Sequence, residues 1–303
     1  MRVVLLFALF TSFCISAQKK EVLRDTSFTV HSSFIKERKK YPFIRIVKPE
    51  LVKGINFNTN VIYTSYENRS LSLDIFHPSR NSRKGYPAVL LIHGGGWKSG
   101  DKSQCIPFAQ QLAKNGYVAV TAEYRLSPEA AYPAAVIDLR AALQWIKAHA
   151  HSYAVDTARI AVLGFSAGGQ LAALIGTDCT SPPNPVHAIV DIDGILAFQH
   201  PESAEGATAA LWLGGTDEEI PEVWKAASPL SHVNTFTPPA LFINSSLPRF
   251  HAGRDDMITR MNDLKIYSEV HTLPDTPHTF WLFHPWFDST VKVTVAFLDR
   301  IFK

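Results

Sequence analysis

Ile160-Ala161-Val162-Leu163-Gly164-Phe165-Ser166-Ala167-Gly168-Gly169-Gln170 compresses a β-strand, a tight turn and the start of a helix into eleven residues. Its opening apolar run suits a strand buried on both faces. Gly164 and Gly168 flank Ser166 at the Gly-x-Ser-x-Gly spacing, which removes side chains where a strand turning sharply into a helix would collide with itself. Such a turn strains the serine backbone and presents its hydroxyl at a helix N-terminus, whose dipole and free amides favour a developing negative charge. The bare motif is a weak signal. Set between a strand and a helix, it predicts Ser166 as a nucleophile, against the alternative of a glycine-rich packing turn.

Upstream, Val89-Leu90-Leu91-Ile92-His93-Gly94-Gly95-Gly96-Trp97 runs another buried strand into three consecutive glycines. Glycines permit backbone conformations that turn several amides toward one point, as a tetrahedral oxyanion requires. A phosphate loop is the competing reading, but no Lys-Ser/Thr closes this one and no helix follows directly. His93 precedes the serine and reads as an anchor for the loop rather than as a base.

Further strands are expected at 61–66, 71–76, 88–92, 117–122, 188–192, 240–244 and 266–271, with helices at 106–115, 134–150 and 168–176. Strand and helix alternate from residue 88 onward, which predicts a mostly parallel sheet with helices on both faces and a site at the carboxyl ends of its strands. Residues 177–237, rich in Pro, Gly and Ser, read as loops and short helices over that site.

The ends read differently. Met1-Arg2 and the apolar or small run Val3–Ile15, followed by Ser16-Ala17-Gln18, have the form of a secretory signal over residues 1–17, too short to span a bilayer. Residues 18–58 form a basic arm, with Lys36, Arg38, Lys39, Lys40, Arg45 and Lys48 around a lone Glu37; a solvated charge run is the plain reading and contact with an acidic polymer the sharper one. Residues 59–303 then form one catalytic domain. Charged residues make up 19% and apolar ones 46% of 303, which excludes a disordered polyelectrolyte, and a net charge of +3 gives no reason to expect nucleic acid. Three cysteines cannot make a disulfide framework in a chain this long; Cys105 and Cys179 read equally as a pair or as two thiols. No Cys/His cluster has metal-ligand spacing, and no cofactor is expected.

With its His-Gly-Gly-Gly-Trp loop, the segment Ala122-Glu123-Tyr124-Arg125-Leu126-Ser127-Pro128, Tyr132-Pro133-Ala134-Ala135 and Asp138, the sequence resembles esterases of the α/β-hydrolase fold over roughly residues 59–300. The resemblance implies an eight-stranded, mostly parallel sheet, an oxyanion hole built from the amides of Gly95, Gly96 and Ala167, and a histidine in the loop after the last strand. Of the 12 histidines, His278 in Pro274-Asp275-Thr276-Pro277-His278 fits, and a serine hydroxyl needs such a base. The resemblance also implies a carboxylate soon after Ala240–Asn244, where this chain has Ser245-Ser246-Leu247-Pro248-Arg249-Phe250-His251-Ala252-Gly253-Arg254 before its first acids. Asp255 and Asp256 are therefore the favoured acids, though both suit the first turn of a helix beginning near Met257; Asp193 and Asp275 are the reserves.

Arg249, His251 and Arg254 follow a strand whose end faces the site, and Trp97 closes the glycine loop; all four are candidate substrate contacts. An arginine there suits the uronate groups of pectin, while an ion pair to Asp255 or Asp256 is the plainer alternative. Phe280-Trp281-Leu282-Phe283-His284-Pro285-Trp286-Phe287 reads as packing or as a platform for sugar rings. Together with the signal segment, these stretches resemble secreted or periplasmic esterases of plant-polysaccharide-degrading bacteria, particularly pectin esterases. The implied activity is a serine carboxylesterase acting on methyl or acetyl esters of a polysaccharide, without stable membrane insertion. An acetylxylan or feruloyl-type esterase, a peptidase on the same fold and a non-catalytic glycan-binding protein remain as alternatives.

Overall fold

The protein is described by a computed structural model covering residues 25–80, 82–179 and 185–303. The proposed export signal at residues 1–17 lies outside the described residues. In chain order the elements begin with α1 (Val30–Glu37), β1 (Arg45–Ile46), β2 (Ile55–Tyr66), β3 (Arg69–Pro78), β4 (Tyr86–Ile92), α2 (Ile106–Lys114) and β5 (Val118–Ala122). There follow α3 (Ala134–Ala148), β6 (Val155–Phe165), α4 (Ala167–Thr177), β7 (Ala188–Ile192), α5 (Gly206–Leu213) and α6 (Pro221–Ala226). The chain closes with β8 (Ala240–Asn244), α7 (Arg254–Asp263), β9 (Ser268–Thr272), β10 (Phe283–His284) and α8 (Trp286–Phe302).

Among the described residues, eight strands form one sheet in the order β2-β3-β5-β4-β6-β7-β8-β9. The β2–β3 and β3–β5 pairs are antiparallel, and every pair from β5–β4 to β8–β9 is parallel. The unbroken apolar run of β4 follows from burial on two faces. Leu90 and Ile92 join Leu139, Leu143, Leu171 and Leu174 of α3 and α4 in one core layer. Val89 and Leu91 point the other way, among Phe108 and Leu112 of α2 and Phe297 and Leu298 of α8. Each such side chain contributes about 1.5–3 kcal/mol by leaving water.

The parallel register brings the chemistry to one edge. Ile92 pairs with Gly164, Phe165 with Ile192, and Ile192 with Ile243, so the residues that follow β4, β6, β7 and β8 emerge side by side.

Residues 25–47 are docked on this domain. Tyr41 and Ile44 are buried in the same layer as Phe283 and Phe287, and β1 pairs antiparallel with β10. Ser33 Oγ and Thr279 Oγ1 make a buried 2.7 Å hydrogen bond that ties α1 to the loop carrying His278. Lys36, Arg38, Lys39, Lys40 and Arg45 keep their charges in water, so a basic composition coexists with an apolar underside. The aromatic stretch at 280–287 is mostly core: Phe280 and Phe283 are fully buried and Phe287 nearly so. Among the described residues no disulfide joins Cys105 to Cys179; Cys105 is a buried thiol whose pKa burial raises.

The turn after β6 tolerates little. A Cβ on Gly164 would lie 1.8 Å from the Gly168 carbonyl oxygen, and one on Gly168 would lie 2.2 Å from that of Ile92. Gly206, in α5, has open space around its Cα. In thermal unfolding, Gly164→Ala and Gly168→Ala are each expected to cost about 3 kcal/mol or more, because backbone atoms must move. Gly206→Ala is expected to be neutral or stabilising by up to about 1 kcal/mol.

Candidate active site

Ser166 leaves β6 with φ +54° and ψ −122°, a conformation costing on the order of 1–3 kcal/mol for a residue with a side chain. The surrounding backbone enforces it. The Ser166 amide donates to the Ile192 carbonyl at the end of β7 (2.8 Å), and the Ser166 carbonyl accepts from the Gly169 amide (2.8 Å) as α4 begins.

His278 Nε2 lies 2.8 Å from Ser166 Oγ, and its Nδ1 lies 2.8 Å from Asp193 Oδ2. An ionised carboxylate only accepts, so Nδ1 carries the imidazole proton and Nε2 is left to accept the serine hydroxyl. The expected serine and histidine therefore meet. The acid beside them is Asp193, one of the two reserves. It follows β7 directly at φ +54°, and its side chain is fully buried. Ser245, at the end of the neighbouring β8, donates its amide to Asp193 Oδ1 (2.9 Å) and its hydroxyl to Oδ2 (2.6 Å). The position at which a carboxylate was expected thus holds a hydroxyl that grips a carboxylate from the next strand. Asp191, two residues earlier, turns beneath α4: its Oδ1 accepts from the Gly194 amide, and burial together with the Asp193 charge pushes its pKa well up.

Asp255 and Asp256 do not reach His278. They occupy the first turn of α7, where carboxylates complement the helix dipole, with side chains 81% and 63% exposed. Arg254 Nε binds Asp255 at 2.8 Å and holds its carboxyl below the usual range, while Asp256 stands 3.5 Å from His200. Asp275, on the loop of His278, is exposed to solvent.

The glycine loop faces the same point. Gly94 O lies 2.9 Å from His93 Nδ1, and Gly95 O accepts from the amide (3.1 Å) and hydroxyl (2.8 Å) of Ser99. In a trans peptide the N–H opposes the C=O, so the amides of Gly95 and Gly96 are turned away from those partners. Gly95 has φ +129° and Gly96 φ +60°; a Cβ on Gly95 would lie 2.1 Å from Ser99 O. Gly95 and Gly96 line the cavity that Ser166 opens into, and Ala167 is the first residue of α4. His93 itself is buried and stacked on Tyr124, whose hydroxyl donates to the His93 carbonyl (2.9 Å).

The four candidate substrate contacts are placed differently around the site. Trp97 is 2% exposed, stacked on Trp212, and donates to Gln170 (2.8 Å): it fastens the glycine loop to α4. Arg254 binds Asn244 and Asp255. His251 is half-buried, and desolvation, then the Arg254 charge, lowers its pKa, which disfavours its cationic form. Arg249 alone of the four lines the open cleft. That cleft, about 610 Å³, has Ser166 and His278 in its lining, with Phe28, Ser32, Ser33, Lys36 and Lys40 of the N-terminal segment along one side and Leu247, Arg249 and Phe250 also contributing. A separate recess of about 20 Å³ beside Ser166 is lined by Gly96, Trp97, Ala167, Asp193, Ile195, Glu205 and Phe250, so Trp97 borders the site while it packs the glycine loop. Phe250, which the sequence reading did not single out, stacks on the His278 ring at 3.4 Å between centroids.

A parallel sheet with a strained serine elbow after one strand and a Ser-His-Asp chain across its carboxyl edge defines an α/β-hydrolase. Residues 73–249 match the BD-FAE family, and the chain belongs to it. Among curated relatives, the esterase LipC of Mycobacterium tuberculosis is 30% identical over 190 residues, 57% of this chain and 47% of LipC. The probable carboxylic ester hydrolase LipM of the same organism is 29% identical over 243 residues, 73% of this chain and 56% of LipM. The chain thus spans about half the length of these relatives. Two solved structures share the fold. A truncated carbohydrate esterase from gut microbiota has a TM-score of 0.69 at 22% identity, covering 84% of this chain and 99% of its own. A thermophilic esterase of Thermogutta terrifontis has a TM-score of 0.67 at 24% identity, covering 85% and 96%.

Labelling with a fluorophosphonate probe reads the nucleophile without assuming a substrate. Ser166→Ala is expected to abolish labelling. Asp193→Ala should slow it by about 10³–10⁴-fold, as removal of an orienting carboxylate does. Ser245→Ala should slow it about 10–100-fold through loss of a charge-assisted hydrogen bond. Asp255→Ala and Asp256→Ala should label within about twofold of the parent protein, a change too small for a triad member.

Proposed function

We propose that the protein is an exported serine carboxylesterase that removes acetyl groups from a plant cell-wall polysaccharide, pectin first. The Ser166–His278–Asp193 chain at the floor of a sugar-sized cleft carries this reading. Ser166 Oγ attacks the ester carbonyl while His278 Nε2 takes its proton, and Asp193, held by Ser245, stabilises the imidazolium. The amides of Gly95, Gly96 and Ala167 receive the oxyanion; one such donor is worth about 10²–10³ in kcat. His278 then returns the proton to the leaving alcohol and activates the water that hydrolyses the acyl-enzyme.

Two cavities of unequal size favour acetyl over methyl esters. The departing oxygen must sit beside His278, and His278 lines the wide cleft but not the recess. The alcohol therefore belongs in the wide cleft and the acyl group in the recess. At about 20 Å³ the recess holds little more than one water-sized group, which admits the methyl of an acetyl group and excludes a polymeric acid. Hydroxyls along the cleft and the Arg249 guanidinium suit a hydroxylated, anionic alcohol, in a lining that also includes Glu37 and Glu205. The likeness to a carbohydrate esterase supports a sugar substrate, and the apolar Val3–Ile15 run supports export.

Incubation with acetylated, methylated pectin and with acetylated xylan, followed by assay of both products, tests this. The expected result is acetate release, faster from pectin, with methanol release at least tenfold slower. Methanol as the main product would overturn the assignment of the two cavities.

A further inference from the structure

The side chains of Arg249, Phe250 and His278 form a layered stack at the leaving-group side of the site. The Arg249 guanidinium lies 4.2 Å over the Phe250 ring, and that ring lies parallel to the His278 imidazole. Other cations along the cleft are engaged: Lys36 faces Glu37 at 3.5 Å, Lys98 faces Asp25 at 3.8 Å, and Lys40 lies over the Tyr41 ring. Arg249 has no ion pair with any carboxylate among the described residues, although Arg254, five residues on, has one. A guanidinium over a ring face still presents N–H groups to a planar anion, and a carboxylate matches its edge with two parallel hydrogen bonds.

Resting on the acetylesterase reading above, we infer that Arg249 binds the free carboxylate of a uronate in the alcohol portion of the substrate. The enzyme thereby selects acetylated chains whose uronates are not methyl-esterified. Methylation removes the charge and one acceptor oxygen of the pair, leaving the guanidinium without its anion. A methyl-ester hydrolysis must then come before this enzyme's step: it converts uronate methyl ester and water into uronate and methanol, and so supplies the preferred substrate.

The test uses the purified full chain and three polymers: acetylated, highly methylated pectin; the same pectin demethylated by a methylesterase that leaves the acetyl groups in place; and acetylated xylan. Acetate release is followed for the parent protein, Arg249→Ala and Arg249→Lys, with 4-nitrophenyl acetate reporting whether the His278 stack survives each substitution. The parent is expected to favour the demethylated pectin by about tenfold in kcat/KM, mainly through KM, with the preference shrinking as sodium chloride is added. Arg249→Ala should bring the ratio of the two pectins close to one, and Arg249→Lys should retain part of it. A parent ratio near one, or a preference that persists in Arg249→Ala, overturns the inference while leaving the acetylesterase reading intact. Turnover of 4-nitrophenyl acetate with no acetate from any polymer overturns the polysaccharide reading and this inference with it.

Discussion

The close backbone approach at Gly164 and Gly168 is the constraint on which the site depends. Without side chains at those two positions, β6 can turn into α4 while α4 rests against the carboxyl end of β4. Ser166 pays for that turn with a strained backbone, and the strain is offset by α4, every residue of which is buried. One hydrogen bond then spreads the geometry sideways. The Ser166 amide on the Ile192 carbonyl fixes the height of the nucleophile relative to the end of β7, and the residue that follows β7 is Asp193.

Placing the acid after β7 changes what the neighbouring loop does. Ser245 still serves the acid, through two donors at the end of β8, but residues 246–253 are freed from supplying the carboxylate. They form instead a wall of the cleft, with Leu247 and Arg249 in its lining and Phe250 lying flat on the imidazole. The opposite contribution comes from the N-terminal segment, docked through Tyr41, Ile44 and the Ser33–Thr279 hydrogen bond. The same loop thus covers the histidine and presents the cation.

What could be read in the sequence was what is local. Continuous apolar runs marked the parallel strands because burial on two faces leaves no alternation, and Ser166 and the glycine loop announced themselves because a strained turn admits few residue types. His278 followed from the resemblance, which implies a histidine in the loop after the last strand. The acid was not legible in the same way, since the choice among four aspartates depends on which strand ends lie side by side. Asp255 and Asp256 were preferred for their place after β8, yet they also bore the marks of a helix start, which is the role they have. The packing role of Trp97 was not legible for a related reason: its partner Trp212 is remote in sequence. The arm's charges drew attention away from Tyr41 and Ile44, the apolar residues that seat it, and the aromatic stretch at 280–287 obscured the start of α8.

The central claim is that Asp193, anchored by Ser245, holds the Nδ1 proton of His278. Proton NMR of that imidazole proton tests it most directly. A low-field resonance is expected in the parent protein, present in Asp255→Ala and Asp256→Ala and absent in Asp193→Ala. Its survival in Asp193→Ala, or its loss in Asp255→Ala or Asp256→Ala with the fold intact, would contradict the account.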